Sequence, residues 1–295
     1  MPLRPLVLLA VLSVCAAGCA GTAPADTGGT VAAEQQPLPA QESPPPRVDP
    51  STAEPAFGVL TELDEAWKRR DCAAVAGLTT WAEKPLGGRA CKGTRNGRPA
   101  LYSEPEFFLP EEGGWFAALA RKPSPAYFVF VFEDGRWRLG AGPIPARGKP
   151  VRPGDAGVTA GPDLATEARL VSQRHLTYLT DPAGVNGVRF PSGDPVRGLL
   201  DEIVSRPAQV RPDRLAIDVE LVEGPPRAVA LSAESMLVFD VVRLTYRQRP
   251  KAGRAALRHP LKGLSPEGTE LVELASVLTA ADGLTTVGVR RGPAG

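Results

Sequence analysis

Histidine is nearly absent from this sequence, and neither sign of charge is in excess. Its 295 residues include two histidines, His175 and His259, and 34 lysines and arginines stand against 33 aspartates and glutamates. Two imidazoles argue against a metal centre built on histidine, and the charge balance gives no electrostatic reason to expect a nucleic-acid partner. The spacings of a nucleophile elbow and of a phosphate loop are also missing. The sequence therefore predicts no catalytic residue, no metal and no cofactor.

Cysteine is scarce as well, and the position of Cys19 bears on where the protein is found. Arg4 is followed by an apolar run over 5–14 and by small residues directly before Cys19. This is the order of an export signal, too short to span a bilayer as a mature helix. A cysteine at this place resembles a bacterial lipoprotein cleavage site, which implies a diacylglycerol on Cys19 and an anchor on the extracytoplasmic face of the cell membrane. A secretory signal cut near Ala17 or Ala20 is the alternative.

Two further thiols, Cys72 and Cys91, remain once the leader is removed and Cys19 is lipidated. A lone pair of cysteines in an oxidising compartment favours a disulfide, which would contribute about 3 kcal/mol for a loop of this length. The alternative is two unpaired thiols, and the lack of a nearby histidine argues against a metal role.

The composition divides the chain into a leader, a tether, two folded parts and a linker. The tether and linker are rich in proline, glycine and alanine, and the tether has too few large apolar residues to bury a core. The predicted segments are a signal peptide 1–18, a disordered tether 19–55, a first domain 56–142, a linker 143–163 and a second domain 164–291.

Both folded parts show helices followed by strands. Apolar positions three and four residues apart predict amphipathic helices over 59–69 and 164–179, and the apolar run Tyr127–Phe132 stopped by Asp134-Gly135 predicts a hairpin. Each half ends with a strand, an Asp-Gly turn and a closing strand, which suggests a diverged duplication. Asp-Gly hairpins are common, so coincidence is the alternative.

The start of the first domain resembles the nuclear-transport-factor-2-like family. The resemblance is carried by a Trp-bearing helix, the stretch Arg70-Asp71-Cys72-Ala73-Ala74, a second short helix and a closing Gly135-Arg136-Trp137. It implies an α+β fold of two tandem domains, each with helices packed on a curved antiparallel sheet. The whole chain also resembles two-domain secreted lipoproteins of GC-rich Gram-positive bacteria. Cone domains of this family often pair through their sheets, so a homodimer or one domain facing the other is expected.

His175 and Asp240 are the candidate pocket residues. His175 lies on the apolar stripe of its helix and could point into the second cone, or it could be a packed or rim histidine. Asp240 interrupts a long apolar strand, as an acid in a pocket would, or as the mark of an edge, a bulge or a partly exposed face.

A third feature is a group of basic residues in a predicted loop: Arg89, Lys92, Arg95 and Arg98. They either bind phosphate groups or belong to an ordinary solvated loop. The fold transfers no activity, so we expect a non-enzymatic binding or protein-interaction module. Its expected partners are the membrane through Cys19 and an unidentified surface protein or cell-wall component. The alternatives are a small-ligand carrier or a hydrolase or isomerase of the cone fold.

Overall fold

The computed structural model describes residues 47–93, 101–155, 157–181, 188–260, 267–281 and 283–294. They form a mixed α+β structure with two antiparallel sheets, each covered on one face by helices. The α+β class predicted from the sequence is confirmed. The predicted signal peptide, the lipidation site Cys19 and most of the predicted tether lie outside the described residues.

Helices come first in the first half. They are α1 Pro50–Phe57, α2 Val59–Lys68, α3 Cys72–Gly77, a 3-10 helix at Trp81–Glu83, and α4 Leu86–Cys91. Aspartate side chains cap the N-termini of α1 and α3. Asp49 accepts a hydrogen bond from the backbone N–H of Thr52 over 2.8 Å, and Asp71 accepts one from the backbone N–H of Ala74 over 3.0 Å. Helix α1 begins inside the range 19–55, so its first residues are helical although the sequence placed them in the tether.

The first sheet is a simple meander. Its strands are β1 Ser103–Phe108, β2 Trp115–Lys122, β3 Ala126–Glu133 and β4 Arg136–Pro145, in the order β1-β2-β3-β4. Asp134 and Gly135 both have positive φ, 52° and 76°, which is the backbone of the tight hairpin turn that Asp-Gly favours. The hairpin predicted from this dipeptide is therefore present.

The second half repeats the order of helices and then strands. Its elements are α5 Pro162–Arg169, α6 Val171–Thr180, α7 Pro195–Gln209, β5 Arg214–Leu221, β6 Arg227–Ser232, β7 Ser235–Arg249, β8 Glu267–Thr279 and β9 Gly283–Pro293. The single helix predicted over 164–179 is broken at Leu170. Strand β7 spans 15 residues and pairs with β8 along one side, while β6 and then β5 share its other side.

The two sheets pack against each other and form the middle layers of a helix, sheet, sheet, helix arrangement. Side chains alternate along β7: Leu237, Phe239 and Val241 face the first sheet, whereas Val238 and Val242 face helices α5 to α7. From the first sheet, Trp115, Tyr127, Val129 and Ile144 enter the core between the sheets. Helices α1 to α4 bury the remaining face of the first sheet around Leu63, Phe116 and Phe128.

A buried ion cluster ties the two sheets together. Arg290 on β9 donates to Glu83 of the first half, to Glu273 on β8 over 2.9 Å and to the carbonyl of Gly142 on β4 over 2.6 Å. The backbone N–H of Gly142 in turn donates to Glu273 over 2.8 Å. Burial raises the pKa of Glu273 to about 7 against the attraction of Arg290. The two halves are thus joined by charged groups as well as by apolar packing.

Candidate functional site

The structure brings the two candidate pocket residues together inside the second half. His175 projects from α6 and Asp240 from β7, and a hydrogen bond of 2.9 Å joins Nδ1 of His175 and Oδ2 of Asp240. The side chains are 0% and 1% exposed. The imidazole stacks on Phe190, with 5.4 Å between the ring centroids. His175 is therefore a packed residue, and Asp240 lies in the interior rather than on a partly exposed face.

Other polar groups share this interior face. Ser276 on β8 is opposite Val238, which places it diagonally across the ladder from Asp240, and Thr286 on β9 is opposite Ser276. Within the described chain, Nε2 of His175, Oδ1 of Asp240 and the hydroxyls of Ser276 and Thr286 have no hydrogen-bond partner. The sequence analysis did not identify Ser276 or Thr286. The only sequence feature that could have indicated them is a hydroxyl side chain at a position of an apolar strand that faces inward.

Chemically, this interior cluster combines a carboxylate, an imidazole and a hydroxyl. A carboxylate that holds the imidazole through Nδ1 leaves Nε2 available as a base, which is the arrangement hydrolases use. However, His175 and Asp240 line none of four prominent clefts on the described part of the molecule. The surfaces that a partner can reach lie elsewhere.

A large cleft, which we name the junction groove, has a volume of about 1300 Å³ and lies between the two halves. Its floor is one end of the second sheet, where Arg243 and Thr245 of β7 and Leu271 of β8 line the cleft. Its wall is built by the first half, with Trp81 and Lys84 among the lining residues.

The wall of the junction groove is fixed by the disulfide between Cys72 and Cys91, with 5.1 Å between their Cα atoms. The predicted disulfide is confirmed, and it links α3 to α4. The stretch that was predicted as a basic loop is thus helical up to Cys91. Arg89 is buried and lies 3.9 Å from Glu83, so it is not a solvated loop residue. Arg95 and Arg98 lie outside the described residues.

Charges of both signs line the junction groove. On the floor, Arg243 lies 4.0 Å from Glu220 and Arg291 lies 2.6 Å from Glu270. On the wall, Lys84 and Lys92 are exposed, and neither has an ion pair with another described residue. The groove is therefore a polar surface with paired charges on its floor and two further cations beside them.

None of the helices in the described ranges has both the length and the apolar character that crossing a membrane requires. Across the same ranges, no cluster of three or more histidine, cysteine, aspartate and glutamate side chains could hold a metal ion. No protein-family model, no curated protein and no solved structure matches the chain.

Proposed function

We propose that the protein is an extracytoplasmic lipoprotein, anchored to the cell membrane by lipid on Cys19, that acts as a non-enzymatic binding module. Its two halves are proposed as cone-type domains of the nuclear-transport-factor-2-like kind, in line with the helix layer that covers one face of each antiparallel sheet. The partner is a surface protein or a cell-wall component. The observation that carries the proposal is the junction groove, which both halves build together.

The chemistry of the junction groove favours a polar macromolecular partner. Apolar pockets with a few polar groups suit small ligands, whereas this cleft is lined by several arginines, lysines and glutamates. Charges of both signs set the orientation and selectivity of a protein-type partner more than they add affinity. The exposed Lys84 and Lys92 would meet carboxylates of the partner, because the arginines of the floor already have acidic neighbours.

Photo-crosslinking in intact cells tests the groove. We would place a crosslinking amino acid at Gly88, where an added side chain meets open space, and at Thr245 on the floor. Matched control positions are Glu62 and Ser205, which are exposed on helices and do not line the groove. We expect one discrete adduct from both groove positions and none from the controls, and Lys84→Glu with Lys92→Glu should weaken it. Adducts of equal yield from all four positions would contradict the proposal.

The anchor has its own test. Cys19→Ala removes the proposed lipidated thiol, so the full chain should move from the membrane fraction to the medium. Cys15→Ala in the same leader is the matched control and should leave the protein in the membrane fraction. Retention of both variants in the membrane would show that lipid on Cys19 is not the anchor.

The interior His175–Asp240 pair favours a hydrolase as the second candidate, because Ser276 shares its face of the sheet. A serine-reactive fluorophosphonate distinguishes the two. Labelling of the full chain that is lost in both Ser276→Ala and His175→Ala would replace the binding proposal by the hydrolase. We expect no labelling, because these side chains are enclosed by the core.

A further inference from the structure

A second cleft, which shares no lining residue with the junction groove, has the composition of a small-ligand site. It has a volume of about 340 Å³ and is lined largely by apolar side chains, among them Pro110, Trp115, Pro226 and Met236. Arg227 is the basic group in its inner part, and Arg169 is another at the mouth. Small-molecule sites have volumes in this range and combine apolar walls with a few placed polar groups. We name it the Trp115 cleft.

Arg227 is an unusual arginine in this molecule. It begins β6 opposite Phe239, so its side chain extends towards the core between the sheets. Its guanidinium lies 6.0 Å from the centroid of the Trp115 ring, at the outer limit of a cation–π contact. Within the described residues it forms no hydrogen bond and no ion pair. Arg290 and Arg291, by comparison, are each held by two carboxylates.

The surroundings of Arg227 leave its charge uncompensated at close range. Burial lowers the pKa of Arg227, and the carboxylates of Glu112 and Glu133 oppose this only through longer-range attraction. Both carboxylates have other neighbours: Glu112 lies 3.8 Å from Arg169, and Glu133 accepts the hydroxyl of Thr80 over 2.6 Å. A half-buried guanidinium with free donors in an apolar cleft is arranged to receive a planar anion, since its fork matches a carboxylate with two parallel hydrogen bonds.

We propose that the Trp115 cleft binds a carboxylate joined to a small apolar body, with Arg227 holding the carboxylate and the Trp115 and proline side chains contacting the apolar part. Glu111 and Glu112 also line this cleft. Their negative charge disfavours a dianionic phosphate or phosphonate, and a singly charged carboxylate is therefore favoured. The site is separate from the junction groove and does not depend on the function proposed for that groove.

A ligand comparison on the unaltered protein is the first test. The full chain in nonionic detergent would be titrated with N-acetyl-leucine, with its neutral carboxamide and with isobutylphosphonate. The indole N–H resonance of Trp115, assigned with Trp115→Phe, reports binding. We expect saturable binding of the carboxylate that is at least about tenfold tighter than that of either comparison compound, as a charged hydrogen-bonded pair allows. Equal binding of carboxylate and carboxamide, tighter binding of the phosphonate, or no binding of the carboxylate would overturn the proposal.

Variants then assign the effect to Arg227. Arg227→Met keeps a side chain over the indole but removes the fork, so the preference for the carboxylate should disappear. Arg227→Lys should keep the charge and lose about tenfold in affinity because it cannot make the bidentate contact. Arg254→Met, in an exposed turn, is the control and should bind as the unaltered protein does. Arg227 is not the anion site if Arg227→Met still prefers the carboxylate to the carboxamide, or if Arg254→Met loses this preference to the same extent. If Arg227→Met does not fold, the ligand comparison on the unaltered protein decides whether the proposal holds.

Discussion

At the scale of single residues, His175 and Asp240 pose the clearest energetic question. Each alone would be costly in this core, since a buried polar group without a partner costs about 1–3 kcal/mol and a charged one more. Together, each side chain provides a hydrogen-bond partner for one polar atom of the other, through the 2.9 Å hydrogen bond between Nδ1 and Oδ2. The helix α6 is thereby fixed to strand β7 at one defined register, which apolar packing alone specifies less sharply.

Removing either member of the pair should cost more than removing both. We expect His175→Phe to lower the free energy of unfolding by about 3 kcal/mol, because a carboxylate is left buried and unpaired, and Asp240→Leu to lower it as well, because the imidazole then has no partner. His175→Phe with Asp240→Leu removes both polar groups and keeps the volume, so this double variant should lie closer to the unaltered protein. Urea denaturation measures all three.

The matched control for this pair is His259→Ala. His259 is exposed in a turn, and its substitution should change the free energy of unfolding by no more than about 0.5 kcal/mol. If the effects of the single substitutions simply add in the double variant, the two side chains are not coupled and the interpretation of the pair fails.

At the scale of elements, the bond between Cys72 and Cys91 holds two helices that are too short to be stable alone. Helices α3 and α4 have six residues each, below the length at which isolated helices persist. We expect Cys72→Ala with Cys91→Ala to lower the free energy of unfolding by about 3 kcal/mol. Thermal unfolding of the unaltered protein in reductant should match that of the double variant, and reductant should leave the double variant itself unchanged. A melting temperature that does not respond to reductant would contradict a stabilising bond.

The elements also show what local sequence can predict. Strands β3 and β7 and helix α2 are strongly periodic, and their positions followed from the sequence. Helices α1 and α4 did not, because α1 buries only alanines, Ala53 and Ala56, and α4 contains two glycines. Their stability depends on tertiary packing and, for α4, on the disulfide. Local pattern carries no signal for either.

The contact between His175 and Asp240 could not be predicted from the sequence, for a different reason. Each residue could be recognised as a polar group on an apolar element. Their pairing depends on how α6 crosses β7, across 65 residues of chain, and no local pattern encodes that crossing. The Trp115 cleft could not be predicted for the same reason. Arg227 and Trp115 come into contact because the two sheets stack on each other. The sequence analysis allowed for one domain facing the other but not for this contact.

At the scale of the whole molecule, the stacking of the two sheets explains why β7 has apolar residues on both faces over 237–242, with Asp240 as the one polar residue of this stretch. One face is covered by helices and the other by the first sheet. Charged groups enter this middle region where Glu273, Arg290 and Glu83 meet. Breaking a buried pair of this kind destabilises strongly, whereas its net contribution over apolar packing is small. The cluster therefore fixes how the halves are placed, and with them the shape of the junction groove.

The raised pKa of Glu273 makes this junction sensitive to pH. Burial raises the pKa of Glu273 to about 7 from its ordinary value of 4.5, so the folded state binds more protons than the unfolded state between these values. The stability that Glu273 contributes therefore falls as the pH rises through this window. Urea unfolding of the unaltered protein and of Glu273→Gln at several pH values from 4.5 to 8 should show their difference shrinking by about 3 kcal/mol. A constant or growing difference for Glu273→Gln would mean that this carboxyl is already ionised in the folded protein.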